Sequence, residues 1–497
     1  MLETKVVDYQ HYINGKPASS SGDDRLPVLD PATGQQWATV ADGSAEDVRA
    51  AVDAAVSASA VWGATSPATR GRLLLRLADV IEARGDELAA LEVRDNGKLL
   101  REMSAQLRAI PNWYRYYAGL ADKIQGATVP MERASLFNFT VREPFGVVAC
   151  ITPWNSPLLL GSFTFAPAIA AGNVIVLKPS EHASVSSLEF ARCFADAGFP
   201  PGVFNVVTGR GAIAGDALVT DSRVERVVFT GSGTAGSIVA SQAAGHFAEV
   251  TLELGGKSPN IVFADADLDA AVPGVLSGIF AASGQTCIAG SRTLVQRRIY
   301  DELLERLVAR TQQIRIGNPM LAETEMGPLA NEPQFRKVQS YVDVARADGA
   351  RLVTGGGRPE RADLAPAGLF FEPTIFADVR NEMRIAREEV FGPLLSLIPF
   401  DSDDEAIAIA NDTEFGLAAG VWTNDLARAH RTVRALRAGT VWVNTYRALA
   451  PAMPFGGFKG SGIGSENGSE AINDFTRVKA VWIETQPSAG DPFLVKL

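Results

Sequence analysis

From Gly146 onward the chain repeats one unit, a short β-branched run followed by a helix-like segment with Gly or Pro at the joint. The runs fall at 147–151, 174–177, 203–207, 227–229 and 250–254. Parallel strands cannot be joined by a tight turn, so each pair needs a crossover, most simply a helix. The rhythm therefore predicts an α/β fold built on a doubly wound, Rossmann-like parallel sheet whose ligands sit at the carboxyl ends of the strands. A second α/β region is expected over 255–475, with strands at 260–263, 293–296 and 440–443 and helices over 300–314 and 425–437. Ahead of the repeat, Ser66-Pro67 reads as an N-cap with proline at the first helical position. Leu73, Leu74, Leu77, Val80 and Ile81 then recur at helical spacing, so 44–119 is expected to be helical. Two strand-like runs stand apart, 136–141 and 478–483. An exposed edge of that kind needs cover, and another subunit is the simplest.

At 497 residues the chain exceeds what one core supports, so two large domains are expected. A net charge of -11 leaves no basic stripe for phosphate backbones or anionic lipids, which argues against nucleic acid as a partner. The most apolar stretches, 157–172 and 272–290, are interrupted by Pro, Ser, Thr, Gly or Gln and fall short of the roughly 20 apolar residues a bilayer requires, so no membrane partner is expected. Residues 1–8 carry no apolar signal core, and Cys150, Cys193 and Cys287 lack the paired spacing of zinc or redox motifs. The expectation is a reduced, cytoplasmic protein without a metal site.

Five motifs carry chemistry. Gly231-Ser232-Gly233-Thr234-Ala235-Gly236 follows a strand, opens a helix and fits G-x-G-x-x-G, bringing backbone N–H groups and a helix N-terminus toward a diphosphate. Alone, it is equally a tight βα turn. Glu253 lies near the spacing, about 20 residues on, at which a ribose-binding acid is sought. That assignment is rejected here. Glu253 ends an apolar run before Gly255-Gly256, where partial desolvation would raise its pKa and suit it to general-base work; a structural ion pair is the plain alternative. Cys287 sits among small residues in Gly284-Gln285-Thr286-Cys287, open to a substrate carbon, although a single buried cysteine is more often inert packing. None of His11, His182, His246 and His430 is its neighbour in sequence, so a Cys-His dyad has no local support. Trp154-Asn155 and Lys178-Pro179-Ser180-Glu181 follow two successive strands. They offer an amide for a developing oxyanion and a cation and carboxylate for ribose hydroxyls.

In order along the chain, PWN at 153–155, KPSE at 178–181, FTGS at 229–232, LELGGKSP at 252–259, GQTC at 284–287, EEVFGP at 388–393 and PFGG at 454–457 resemble the aldehyde dehydrogenase superfamily, across nearly the whole sequence. The resemblance implies a dinucleotide-binding domain over 1–125 and 146–254, a catalytic domain over 255–475, and an oligomerisation element from 126–145 and 476–497 that pairs subunits as a homodimer or homotetramer. It implies Cys287 as nucleophile, Asn155 and the Cys287 N–H as oxyanion hole, and Glu253 as the base that activates water. It gives Lys178 a part in the cofactor site and in active-site assembly. The cofactor residues implied are Trp154, Lys178, Ser180, Glu181, Gly231, Ser232, Gly236, Leu254, Glu389 and Phe391. Glu181 would accept from a ribose 2'-OH and repel a 2'-phosphate, so NAD is preferred, with NADP left open. The implied substrate is a small-molecule aldehyde. Phe163, Arg447 and Phe455 are assigned to its tunnel.

Two departures from the family pattern bear on that tunnel and its surroundings. Ser156 stands where many relatives carry an aromatic side chain, leaving Phe163 to supply one, which points to a bulky or aromatic aldehyde; Arg447 points instead to a carboxylated semialdehyde, with a solvated rim arginine as the plainer alternative. Ser465 stands where Arg is common. Glu253 favours hydrolysis of the acyl group over its transfer to coenzyme A. A CoA-acylating dehydrogenase and a non-catalytic binding protein on the same fold are the competing readings.

Overall fold

The computed structural model describes residues 6–486 and 493. Its helical lead-in runs Ala45–Ala64, Pro67–Ala83, Gly85–Asn96, Leu100–Ala109 and Pro111–Ala118, in the expected stretch. Ser44 starts it with a capping box, accepting from the Glu46 and Asp47 amides while Asp47 accepts from Ser44. Ser66 caps the next helix with Pro67 in its first turn, as its sequence indicates. Leu74, Leu77, Ile81, Tyr114 and Tyr117 share a core with the large sheet.

That sheet has eight strands in the order Gly462–Ile463, Glu249–Glu253, Val224–Thr230, Val147–Thr152, Val174–Pro179, Phe204–Val206, His11–Ile13 and Lys16–Ala18. The five central strands are parallel, as the repeat requires. The chain winds outward from Val147–Thr152 through Val174–Pro179, then returns to lay Val224–Thr230 on the other side of the first strand. Successive crossovers therefore leave in opposite directions between these two strands, and a crevice opens at their carboxyl ends.

A second sheet orders Arg351–Thr354, Thr374–Ala377, Leu394–Phe400, Arg292–Gln296, Pro259–Val262, Ala418–Trp422 and Thr440–Val443, all parallel apart from the first. The chain crosses back to the first sheet at Gly462–Ile463. The strands Val7–Tyr9, Arg25–Leu29 and Gln36–Ala41 form a third small sheet, and His11–Ile13 and Lys16–Ala18 extend the large one. The sequence reading has no counterpart for these five, because they are three to six residues long and lack alternation.

The two isolated strand-like runs find each other. Leu136–Pro144 and Thr476–Glu484 pair antiparallel along their whole length, from Leu136 with Glu484 to Pro144 with Thr476. Phe137, Val478 and Trp482 remain exposed on this ribbon. Residues 487–492 and 494–497 of the expected C-terminal element, and residues 1–5, lie outside the described residues. Among the described residues no helix is long and apolar enough to cross a membrane.

The connection that carries Cys287 is tightly constrained. The helix Leu268–Phe280 ends in a turn in which Ala282, Ser283 and Gly284 all have left-handed backbones, with φ of 55°, 54° and 71°. For Ala and Ser that conformation costs on the order of 1 kcal/mol each. Hydrogen bonds to distant segments hold it: Glu102 Oε1 accepts from the Ala282 N–H at 3.0 Å, Ser283 Oγ donates to the Gly327 carbonyl at 2.8 Å, and Gln285 Oε1 accepts from the Ala330 N–H at 2.9 Å. Gly284 lies against the backbone of Gly392, where an added Cβ would stand 2.2 Å from the Gly392 carbonyl oxygen. Gly284→Ala meets both the left-handed φ and that overlap, together about 3 kcal/mol. The expected outcome is a lowered melting temperature with loss of turnover, and a variant that melts and turns over like wild type would contradict the packing described.

Candidate active site

Trp154, Asn155, Thr230, Gly231, Ser232, Glu253, Leu254, Gly255, Cys287, Glu389 and Phe391 line one cleft at the crevice between Val147–Thr152 and Val224–Thr230. The thiol, the amide and the acid singled out in the sequence therefore meet, together with most of the implied cofactor residues. Asn155 is buried directly after the strand, and its Nδ2 donates to the Gln285 carbonyl at 3.0 Å. That bond fixes the amide beside the Cys287 turn and leaves its second N–H to donate elsewhere.

Glu253 ends its strand buried, with no hydrogen-bond partner for either carboxyl oxygen. Burial pushes its pKa well above the carboxylate range, and a second buried acid, Glu466, pushes in the same direction. Burial raises Glu466 itself to about 7, against the Thr164 hydroxyl, which donates to its Oε1 at 2.7 Å, and the cation of Arg226. The Cys287 thiol is pushed up to about 12, first by burial and then by Glu253 and Glu389. The resting site thus holds a protonated thiol beside an acid whose neutral form burial favours.

Ser232 caps the helix Gly233–Ala244, accepting from the Ala235 N–H, so the Gly-rich turn does open a helix at the cleft. At Gly236 a Cβ would sit 2.5 Å from Leu254 Cδ2, so glycine there allows close packing of helix on strand. Glu389 Oε1 accepts from the Gly256 N–H at 2.9 Å, and Gln334 Nε2 donates to the carbonyls of Val390 and Phe391, both at 2.8 Å. Phe391 stands edge-on to Trp154 at 5.3 Å. Lys178 is not brought to Cys287. It ends the neighbouring strand, buried, and donates to Glu181 Oε2 at 3.1 Å, while Ser180 turns its hydroxyl to the His182 amide. Burial would raise the half-buried Glu181, but the Lys178 ammonium outweighs it and holds the carboxylate below its usual range.

On the other side of Cys287 opens a second cavity, lined by Lys98, Glu102, Gln106, Trp113, Asn155, Ser156, Phe163, Arg447 and Phe455. Phe163 stacks on Trp113 at 5.1 Å and meets Phe455 edge-on at 6.1 Å. All three residues assigned to a substrate tunnel line this cavity. Lys98, Glu102 and Trp113 are absent from the sequence reading, as is Glu466. The signal for Lys98 is present, a lysine directly after the helix-ending Gly97 and before Leu99-Leu100, but a surface reading of that lysine is the more natural one. Cys150 and Cys193 are buried away from both cavities, in a strand and a helix as anticipated.

A family model described as the aldehyde dehydrogenase family matches residues 18–481. A betaine aldehyde dehydrogenase of Cereibacter sphaeroides is 45% identical over 478 residues, 96% of this chain and 97% of its own length. The (Z)-2-((N-methylformamido)methylene)-5-hydroxybutyrolactone dehydrogenase of Acinetobacter baylyi is 44% identical over 99% of this chain and 100% of its own. Among solved structures, betaine aldehyde dehydrogenase from Staphylococcus aureus in complex with NAD+ superposes with a TM-score of 0.96 at 39% identity, covering 99% of this chain and 98% of its own.

The buried Glu466 ties stability to pH. Its folded pKa of about 7 lies above the ordinary 4.5, so its contribution is fully present below that ordinary value and is lost as pH rises through about 7. Glu466→Gln keeps an acceptor for Thr164 and removes the buried charge. Thermal melts should coincide with wild type at pH 5 and exceed it by a few degrees at pH 8, about 2–3 kcal/mol. A difference that does not change with pH would refute the assignment.

Proposed function

The chain belongs to the aldehyde dehydrogenase family, and from that premise we propose that it oxidises an aldehyde to the carboxylic acid with NAD, through a thioester on Cys287. The observation that carries the reading is the meeting of Cys287, Asn155 and Glu253 in one cleft that continues to a capped helix N-terminus on one side and an aromatic-walled cavity on the other.

The dinucleotide fits the residues present. Lys178, Ser180 and Glu181 would take the adenosine ribose, Gly231, Ser232 and Gly236 the diphosphate at the start of the Gly233–Ala244 helix, and Trp154, Leu254, Glu389 and Phe391 the nicotinamide side. When bound, NAD supplies the hydride acceptor. The chain's own groups do the rest. Cys287 loses its proton and its sulfur adds to the aldehyde carbon; the resulting oxyanion accepts from the free Asn155 N–H and the Cys287 backbone N–H. Loss of hydride from that carbon leaves the thioester. Glu253 draws a proton from water, the hydroxide attacks the acyl carbon, the C–S bond breaks and the carboxylic acid departs with Cys287 restored. Glu253, unpartnered and raised in pKa, supports hydrolysis over transfer to coenzyme A.

We further assign the 126–145 and 476–497 segments to subunit pairing in a homodimer or homotetramer, on the exposed Phe137, Val478 and Trp482 of the projecting ribbon. Three unpaired cysteines suit a reducing, cytoplasmic setting. The substrate reading is an aromatic or carboxylated aldehyde, supported by Trp113, Phe163 and Phe455 around the cavity and Arg447 within it.

With Glu253→Gln, mixing with aldehyde and NAD in the absence of coenzyme A should give a burst of one NADH per site, then steady turnover reduced roughly 100-fold or more. Cys287→Ala should abolish both phases. Unchanged steady turnover in the first variant, or activity in the second, would refute the mechanism. For the cofactor, kcat/KM with NAD should exceed that with NADP about tenfold or more, because Glu181 opposes a 2'-phosphate. A measured preference for NADP would reverse that assignment, and Glu181→Gln should narrow the gap.

A further inference from the structure

We propose that Lys98 and Arg447 form a cationic pole in the aldehyde cavity that receives a carboxylate, so that this enzyme selects aldehydes bearing an anionic group away from the reacting carbonyl. The proposal rests on the reading above, that Cys287 attacks the aldehyde in this cavity.

Two separate parts of the chain deliver these cations. Lys98 follows the Gly85–Asn96 helix, and its buried Nζ donates to Ser156 Oγ at 2.6 Å, leaving further N–H donors on the ammonium. Ser156 begins the Pro157–Ala171 helix, yet its hydroxyl makes no cap there. Ser156 is thus free to seat a lysine in the cavity. Arg447 comes from the loop after the Thr440–Val443 strand, and its Nη1 donates to the Ser277 carbonyl at 3.3 Å. Neither cation makes an ion pair among the described residues.

The acids nearby do not cancel them. Glu92 is fully buried, neither of its oxygens has a partner, and burial pushes it toward the neutral form. Glu102 faces the cavity but commits Oε1 to the Ala282 N–H. Burial pushes both Glu253 and Cys287 toward their neutral forms. Two cations against the one carboxylate of Glu102 leave an excess positive charge at this cavity.

The loop that presents Arg447 is built under strain. Asn444 and Arg447 both have left-handed backbones, with φ of 52° and 65°. Asn444 is clamped to Thr423, accepting from its N–H at 3.1 Å and donating to its carbonyl at 2.9 Å. Tyr446 donates its hydroxyl to the Ile288 carbonyl at 2.9 Å, one residue from Cys287. Strain of this kind persists only where surrounding contacts over-determine it, and here those contacts fix Arg447 relative to the nucleophile. Trp113, Phe163 and Phe455 would pack the carbon skeleton between carbonyl and carboxylate. A trimethylammonium aldehyde, of the kind that names several relatives, would meet two like charges instead.

The test compares kcat/KM of the full-length enzyme with NAD for butanal, its carboxylated counterpart 4-oxobutanoate and betaine aldehyde, and for benzaldehyde against 4-carboxybenzaldehyde. At least one carboxylated member should exceed its neutral partner about tenfold or more, the lower end of what a charge-assisted hydrogen bond gives, with betaine aldehyde poorest. In Arg447→Gln the carboxylated-to-neutral ratio should fall about tenfold, through KM, with part of the preference restored in Arg447→Lys. Lys98→Met should reduce the same ratio, and since Lys98 is buried, Arg447→Gln decides the matter if that variant does not fold. Equal use of carboxylated and neutral aldehydes, or an Arg447→Gln that lowers both alike, overturns the pole; if Cys287→Ala still abolishes every activity, the thioester reading stands. Oxidation that survives Cys287→Ala overturns that reading and the pole with it.

Discussion

Everything at the catalytic centre depends on the divergence of two parallel strands, Val147–Thr152 and Val224–Thr230, which pair side by side through Phe229 and Ile151. Parallel pairing forces long connections, and because winding reverses between these two strands, the connections leave on opposite sides and nothing fills the space at their ends. The first strand delivers Trp154 and Asn155 into that space, the second delivers Gly231 and Ser232, and the adjoining Glu249–Glu253 strand adds Glu253. The second sheet closes the crevice by carrying Cys287 and Glu389 across it. The catalytic group is thus assembled from the ends of separate strands and loops, each held by backbone pairing that the reaction leaves untouched.

Desolvation is the second organising force. Glu253, Glu466, Glu389 and Cys287 are all acids whose neutral forms burial favours. The fold therefore gives up stability as pH rises, and that cost falls on groups that line or adjoin the cleft. A Glu253 satisfied by an arginine would stabilise the protein more and would be a poor base. Its two unpartnered oxygens record the choice between those roles.

Much of this was legible in the chain, and the parts that were not share a physical reason. The central strands, the helical lead-in and the Ser66 cap could be read because burial on both faces and helical spacing impose regular patterns. The G-x-G-x-x-G turn, Asn155 and Glu253 could be read because each lies at or just past the end of a strand, and Cys287 because it stands among small residues after a helix-like run. The N-terminal strands His11–Ile13 and Lys16–Ala18 were not, since they are short and owe their conformation to the edge they join. Lys98, Trp113 and Glu466 reach the site from far along the sequence, and their positions follow from packing that local pattern does not encode. Trp113 illustrates this: its indole N–H donates to Asn467 Oδ1 at 2.7 Å, a contact between residues in opposite halves of the chain.

The division of labour between regular and strained backbone follows from the same physics. Residues that line the cleft around Cys287 come from strand ends or from the connection after the turn at 282–284, whose left-handed conformation is pinned by Glu102, Ser283 and Gln285. Part of the lining of the second cavity comes from the segment after Gly97 and from the 444–447 loop. These can change side chains without disturbing a sheet, because their anchors are Asn444, Tyr446 and Ser156 and not ladder hydrogen bonds. A fold arranged in this way holds one reaction fixed while the charge of its substrate cavity varies. Lys98 is held in this way: its buried ammonium donates to Ser156 Oγ at the start of the Pro157–Ala171 helix, outside any sheet ladder.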